Sequence, residues 1–159
     1  MRTGIGMDAH RFERGRKLFL GGVEIPHEKG LGGHSDADVL LHALMDALLG
    51  ACGAGDIGEM FPDGDPAYRG ASSLTLLGDV VEVVRGRGYH IVNVDAVVVC
   101  EEPKVAPYRN AMRERIAACL DVDTTEISVK GTTTEGMGFT GRGEGVAAMA
   151  VVTIVEAAR

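Results

Sequence analysis

Strands that come in pairs with three helical segments between them predict an α+β fold, a single sheet with helices on one face. The runs at 94–99 and 146–155 are so apolar that both of their sides are expected to be buried. Helices on one face leave the other bare, so self-association is the expected way to cover it. A length of 159 residues with 45% hydrophobic content suits one domain with its own core, spanning residues 1–159.

Residues 2–12 begin by alternating small or apolar residues with polar ones and predict a strand. Residues 18–25, interrupted by Gly21 and Gly22, predict a second strand or a bulged hairpin arm. A Gly-rich loop covers 29–34. Ser35 or Asp36 then caps a helix whose apolar positions Val39, Leu40, Ala43, Leu44, Ala47 and Leu48 fall at helical spacing. Gly50 and Gly53 mark its end. Residues 56–70 carry Pro62, Pro66, Gly58 and Gly64 among acids and read as a long loop, a length usually kept for function. A second helix is expected over 72–87, closed by Gly88, and a Val- and Ile-rich strand over 89–100. After Pro103 and Pro107 a third helix runs to about Leu120. A strand over 126–134, a Gly-rich loop over 135–143 and a strongly apolar strand over 146–155 complete the order.

The formal charge of -7 and the lack of any clustered Lys and Arg argue against nucleic-acid binding. With no Trp and 4% aromatic residues, a base-stacking platform is not expected either. Should the ligand be a polyanion, metal ions, backbone N–H groups and a few basic side chains must overcome the repulsion of an acidic chain. Cys52, Cys100 and Cys119 form neither a disulfide framework nor a CxxC pattern and are expected to be inert thiols. The first ten residues lack a signal-peptide core and no apolar run reaches the ~18 residues of a membrane span, so a cytoplasmic protein is expected.

Asp8 and His10 stand two apart in a predicted strand, so both side chains project from one face. With His42 from the first helix they make an Asp-His-His donor set suited to Zn²⁺ or a similar ion with one position open. The same residues are equally compatible with a strand end and a core histidine. His34 and Ser35, followed by Asp36 and Asp38, lie where a Gly-rich loop meets a helix N-terminus, a place that favours an anion and also an ordinary cap. His27 and His90 are expected to be surface residues. Residues 132–145, TTTEGMGFTGRGEG, combine hydroxyls, Glu135, Arg142 and enough glycine to bring N–H groups against a diphosphate, with Glu135 on a Mg²⁺ or Mn²⁺ ion. A plain hairpin connection fits the same residues. Gly136, Gly138 and Gly141 match G-x-G-x-x-G, but a dinucleotide site needs a helix after that motif, and here a strand follows.

In this order, GIGMDAHRF at 4–12, GGVEIP at 21–26, GGHSDADVLLHALMDALLGA at 32–51, GDIGEMFPDGDP at 55–66 and TTTEGMGFTGRGEG at 132–145 closely resemble the cyclodiphosphate synthase family of the non-mevalonate isoprenoid pathway. The resemblance covers essentially the whole chain. It implies that Asp8, His10 and His42 bind a zinc-type ion and that Glu135 holds a second divalent ion, Mg or Mn, which arrives with the diphosphate. It casts His34 and Thr133 as catalytic groups that assist the transition state. Among substrate-binding positions it places Asp8, Ala9, His10, His34 and Ser35, the loops of Asp56, Ile57 and Gly58 and of Phe61, Pro62, Asp63, Gly64 and Asp65, and the turn of Thr132, Thr133, Thr134 and Glu135. Cys100, Glu101, Glu102, Pro103, Lys104, Val105 and Ala106, Lys104 above all, correspond to a cytidine pocket.

The resemblance further implies a homotrimer around a central channel, with active sites between subunits and Phe139 and Arg142 near them. Two features depart from the family pattern. Met7 stands where an aromatic residue is usual, and Glu101 and Glu102 make the nucleotide segment more acidic. The implied reaction is cyclisation of 4-diphosphocytidyl-2-C-methyl-D-erythritol 2-phosphate with release of CMP. The competing readings are a metal-dependent phosphohydrolase and a non-catalytic trimer that binds metal or an isoprenoid phosphate.

Overall fold

The computed structural model describes residues 1–62 and 64–157. In chain order the elements are β1 (Arg2–Arg14), β2 (Leu18–Leu20), β3 (Val23–Ile25), β4 (Lys29–Leu31), α1 (Val39–Cys52), α2 (Ile57–Met60), α3 (Ser73–Gly86), β5 (Tyr89–Val99), α4 (Arg109–Leu120), β6 (Ile127–Thr132), α5 (Gly138–Gly141) and β7 (Gly145–Glu156). One five-stranded sheet has the order β4-β1-β7-β5-β6, and β2 pairs with β3 in a separate hairpin. β7 runs antiparallel to both β1 and β5, while β5 and β6 are parallel and joined through α4. The mixed α+β architecture matches the expectation.

Alternation along the strands sorts side chains between two faces. Val94, Ala96, Val98, Val146, Ala148, Ala150 and Val152 are buried under the helices. On the opposite face Ile5 is 65% exposed, Met7 61%, and Met149 and Val151 39% each. Within one chain, therefore, the apolar strands are buried on one side only.

α1 lies directly on β1 and β7. Glycine makes this approach possible: a Cβ at Gly4 would sit 1.9 Å from the Ala47 carbonyl oxygen, and one at Gly6 2.0 Å from that of Ala43. Most of α1 is buried, because α3 covers the side turned away from the sheet. At its end Gly53 takes φ 70°, which a residue without Cβ adopts freely.

The helix cap differs from expectation. Ala37 takes φ 57°, which turns the chain so that Asp38, not Ser35 or Asp36, caps α1. Fully buried, Asp38 accepts from Leu41 N at 3.1 Å and also from Gly21 N at 2.9 Å and Gly22 N at 2.7 Å. Gly21 and Gly22, with φ 59° and 76°, close the β2–β3 hairpin, so the segment read as a strand or bulged arm is two short strands. Asp38 thus ties the hairpin turn to the helix start. Residues 29–31, expected in a loop, pair with Phe12, Glu13 and Arg14 as β4. The expected loops at 56–70 and 135–143 contain α2, a 3-10 turn at Pro66–Tyr68, and α5. Among the described residues no helix is long and apolar enough to cross a membrane.

Candidate active site

Two elements bring three metal-type donors together. On β1, Asp8 and His10 follow Gly4 and Gly6 on the helix-facing side, opposite Ala148 and Val146 of β7. His42 enters from the first turns of α1, whose backbone those glycines hold against the strand. The Oδ2 of Asp8 lies 2.8 Å from His10 Nε2 and 3.0 Å from His42 Nδ1, and the two ring nitrogens are 3.0 Å apart. Donors around a tetrahedral zinc ion stand roughly 3.3 Å apart, so the triangle closes at about the size such an ion needs. Burial alone would raise the Asp8 carboxyl, yet hydrogen bonds and charge from His10 and His42 outweigh it and hold the group well below the usual carboxylate range. For His10, burial pulls downward while the Asp8 hydrogen bond and charge and the Gly32 carbonyl pull upward, and the net shift is upward.

The far side of the His42 ring is held as firmly. Its Nε2 lies 3.1 Å from both Ser35 Oγ and Ser73 Oγ. Ser73 is fully buried; its N–H donates to Asp36 Oδ2 at 3.0 Å and its hydroxyl donates to Asp36 Oδ1. With its hydroxyl proton directed at Asp36, the Ser73 oxygen is left to accept from His42 Nε2–H. With a divalent cation bound, this tautomer would offer the Nδ1 lone pair to the ion in place of the Nδ1–H···Oδ2 hydrogen bond to Asp8. Ser73 and Asp36 were missed as partners of the donor set. Nothing local marks them, since Ser73 lies 31 residues from His42 in sequence.

The three donors open on a cleft of about 640 Å³ that is also lined by Arg16, His34, Ser35, Ile57, Gly58, Phe61 and Tyr68. Asp56 caps α2 through Glu59 N at 2.9 Å, and Asp46 of α1 accepts from Ile57 N at 2.9 Å, so the loop is anchored to the helix that carries His42. The Phe61 and Tyr68 rings meet edge to face at 5.2 Å. Gly64 and Arg69 line an adjoining recess with Arg16, His34 and Ser35. Asp65 N bonds Pro62 O at 2.9 Å and the Asp65 carboxylate caps the following turn. Asp63 lies outside the described residues. Ala9 faces away from the cleft, though its N–H donates to Asp8 Oδ1 at 2.8 Å.

A second pocket, of about 190 Å³, lies where parallel β5 and β6 end, lined by Cys100, Pro103, Lys104, Val105, Ala106, Arg109, Gly131, Thr132 and Thr133. Burial pushes the Cys100 thiol up to about 11, and its Sγ donates to Pro103 O at 3.4 Å. Lys104 Nζ donates to Glu101 O at 2.9 Å and lies 3.5 Å from Glu102 Oε1. Just beyond, Thr133 Oγ1 donates to Glu135 Oε1 at 2.6 Å, and Thr134 Oγ1 lies 2.9 Å from Thr140 Oγ1. Phe139 is 40% exposed and Arg142 pairs with Glu144 at 2.6 Å, both outside the two pockets. The chain therefore gathers predicted residues into two groups: Asp8, His10, His34, Ser35 and His42 with Ile57, Gly58 and Phe61, and Cys100, Pro103, Lys104, Val105 and Ala106 with Thr132 and Thr133.

The model of the YgbB family matches residues 1–155. The chain belongs to the YgbB family. Among YgbB relatives, the 2-C-methyl-D-erythritol 2,4-cyclodiphosphate synthase of Moorella thermoacetica is 60% identical over 156 residues, 98% of this chain and 96% of the relative. The synthase of Caldicellulosiruptor bescii is 56% identical over 155 residues, 98% of this chain and 99% of its own. A solved structure of the synthase with CDP bound superposes with TM-score 0.89 at 38% identity, over 97% of this chain and all of the other. The bifunctional IspDF from Campylobacter jejuni superposes with TM-score 0.94 at 45% identity, and this chain spans 42% of that longer one. The family resemblance read from the motifs is borne out.

Proposed function

We infer that this YgbB chain is an enzyme that converts 4-diphosphocytidyl-2-C-methyl-D-erythritol 2-phosphate to 2-C-methyl-D-erythritol 2,4-cyclodiphosphate and CMP. The observation that carries this is 60% identity, across nearly the full length of both chains, to a relative named for that product. An oxygen of the substrate's 2-phosphate forms a bond to the β-phosphorus of its own diphosphate. The bond from that phosphorus to the bridging oxygen breaks, and CMP leaves with the oxygen. The nucleophile is part of the substrate, so catalysis consists of folding a flexible polyanion into line and offsetting its charge.

The residues fit that task. Asp8, His10 and His42 would hold a zinc-type ion and Glu135 a Mg²⁺ or Mn²⁺ ion. Such ions supply Lewis-acid neutralisation of phosphate charge, which an acidic chain needs for an anionic substrate. His34 faces the same cleft as the three donors and would hydrogen-bond phosphate oxygens, as would the Thr133 hydroxyl. Asp56 to Gly58 and Phe61 to Asp65 would contact the substrate from the cleft side. The pocket of Cys100 to Ala106 would take the cytosine through backbone groups, which tolerates Glu101 and Glu102.

Among the described residues the two groups line separate pockets, and Ile5, Met7, Met149 and Val151 leave an apolar sheet face uncovered. Both features support a homotrimer of one-domain chains around a central channel, with Glu135 and Thr133 of one subunit completing the cleft of another and with Phe139 and Arg142 near the junction; a small-molecule biosynthetic enzyme of this kind would work in the cytoplasm.

Turnover in ¹⁸O-labelled water tests the reaction. Cyclisation gives a cyclic diphosphate and CMP, both unlabelled, by mass spectrometry and phosphorus NMR. Solvent oxygen in either product, or a linear bis-phosphate, would overturn the cyclase reading in favour of a hydrolase.

A further inference from the structure

One side chain joins the two loops that leave the ends of β5 and β6. Oε1 of Glu101 accepts the backbone N–H groups of Thr134 and Gly136, each at 3.2 Å. Within that span Glu135 and Gly136 take φ of 54° and 78°. A left-handed residue in such a turn lets the N–H groups on either side of it converge on one anion, as in a nest, and here the amides of Thr134 and Gly136 do so around Glu135. Here the anion is the chain's own carboxylate. These N–H groups, expected from the sequence to cradle a diphosphate, are already engaged by Glu101.

The engagement has a structural reason. A left-handed φ is costly for Glu135, which carries a Cβ, so the turn that holds it needs an anchor from outside. Thr133 precedes the tethered amides and Glu135 lies between them, and their side chains meet at 2.6 Å. The tether therefore sets where the hydroxyl and the carboxylate point. At its other end Glu101 is held beside the pocket wall by residues that line it: Lys104 Nζ donates to its carbonyl oxygen at 2.9 Å, and the preceding Cys100 N bonds Thr132 O at 3.0 Å. The carboxylate itself is turned away from the pocket lined by Cys100, Pro103 and Lys104.

We propose that Glu101 is a positioning residue of the reaction, holding the Thr133–Glu135 turn in its working geometry from beside the nucleotide-side pocket. This rests on the reading of Glu135 as the holder of the second ion. Because the function is acceptance of two N–H groups, Gln can perform it in part and Ala cannot.

The test compares E101A and E101Q with the wild type in the full-length protein, by steady-state kinetics with Mn²⁺ titration, hydrogen exchange of the 134–136 amides and thermal melting. In E101A the Thr134 and Gly136 amides are expected to exchange faster, kcat to fall about tenfold and the Mn²⁺ concentration for half-maximal rate to rise about tenfold, with KM moving less than about threefold. E101Q should recover most of the loss. Unchanged amide exchange or unchanged kcat in E101A overturns the proposal, as does an E101Q as impaired as E101A. A uniform loss that tracks a lowered Tm overturns it too, since that marks a general structural role. If the wild type forms no cyclic product, the functional reading fails instead, and the exchange measurement still decides the tether.

Discussion

His42 is gripped from two directions, and the outer grip has a measurable consequence. Ser73 passes the charge of Asp36 to Nε2 and so orients the ring for a ligand bond at Nδ1. Removing such a partner of a ligating histidine typically weakens metal affinity by about 10–100-fold. Ser73→Ala is therefore expected to lose zinc to a competing chelator at concentrations the wild type withstands. His42→Ala should abolish zinc binding and turnover yet keep its circular-dichroism spectrum, because the helix around it is held by apolar packing. Full zinc retention in Ser73→Ala, or full activity in His42→Ala, would contradict the site.

At the scale of elements, the contact between α1 and β1 decides whether the donor triangle exists at all. Gly4 and Gly6 leave no room for a methyl group against the Ala47 and Ala43 carbonyls, so a side chain there must push helix and strand apart. Gly4→Ala is expected to cost about 1–3 kcal/mol or more in chemical denaturation and to lower zinc affinity by separating His42 from Asp8 and His10. Gly78 is the control. It sits inside α3 with open space around its Cβ position, so Gly78→Ala should stabilise by ~0.5–1 kcal/mol through higher helix propensity and leave zinc affinity unchanged. Equal effects of the two substitutions would show that close approach is not what Gly4 provides.

For the whole molecule, the sheet has one dressed face and one bare one. Across the bare face Met149 lies between Met7 and Val97, and Ile5 lies beside Val151, an apolar strip that runs over three strands. Contiguous apolar surface of this kind marks an interface. Light scattering is expected to give three times the 16.7 kDa mass of one chain. Placing Lys at both Met7 and Val151 should bring the mass down to a single chain and remove turnover, while each chain keeps its own Asp8, His10 and His42 triangle and binds zinc. Activity retained in a monomer would place the whole reaction within one chain.

The order of the principal elements and the membership of a family are legible in the amino-acid sequence alone, and through the family motifs so are Asp8, His10 and His42 as a candidate donor set. The reason is that helical spacing in 39–48, strand alternation in 2–12 and the long motifs are local patterns, visible without knowing what lies across from them. Tertiary structure decided what depends on partners distant in sequence. Asp38 became the cap of α1 because it also meets the amides of Gly21 and Gly22. Residues 29–31 became a strand because Phe12, Glu13 and Arg14 offered an edge. Ser73 reached both His42 and Asp36, and Glu101 reached Thr134 and Gly136, across 31 to 37 residues of chain. A buried hydroxyl or carboxylate takes whichever donor or acceptor the fold brings within about 3 Å, and no spacing rule in a single sequence encodes that meeting.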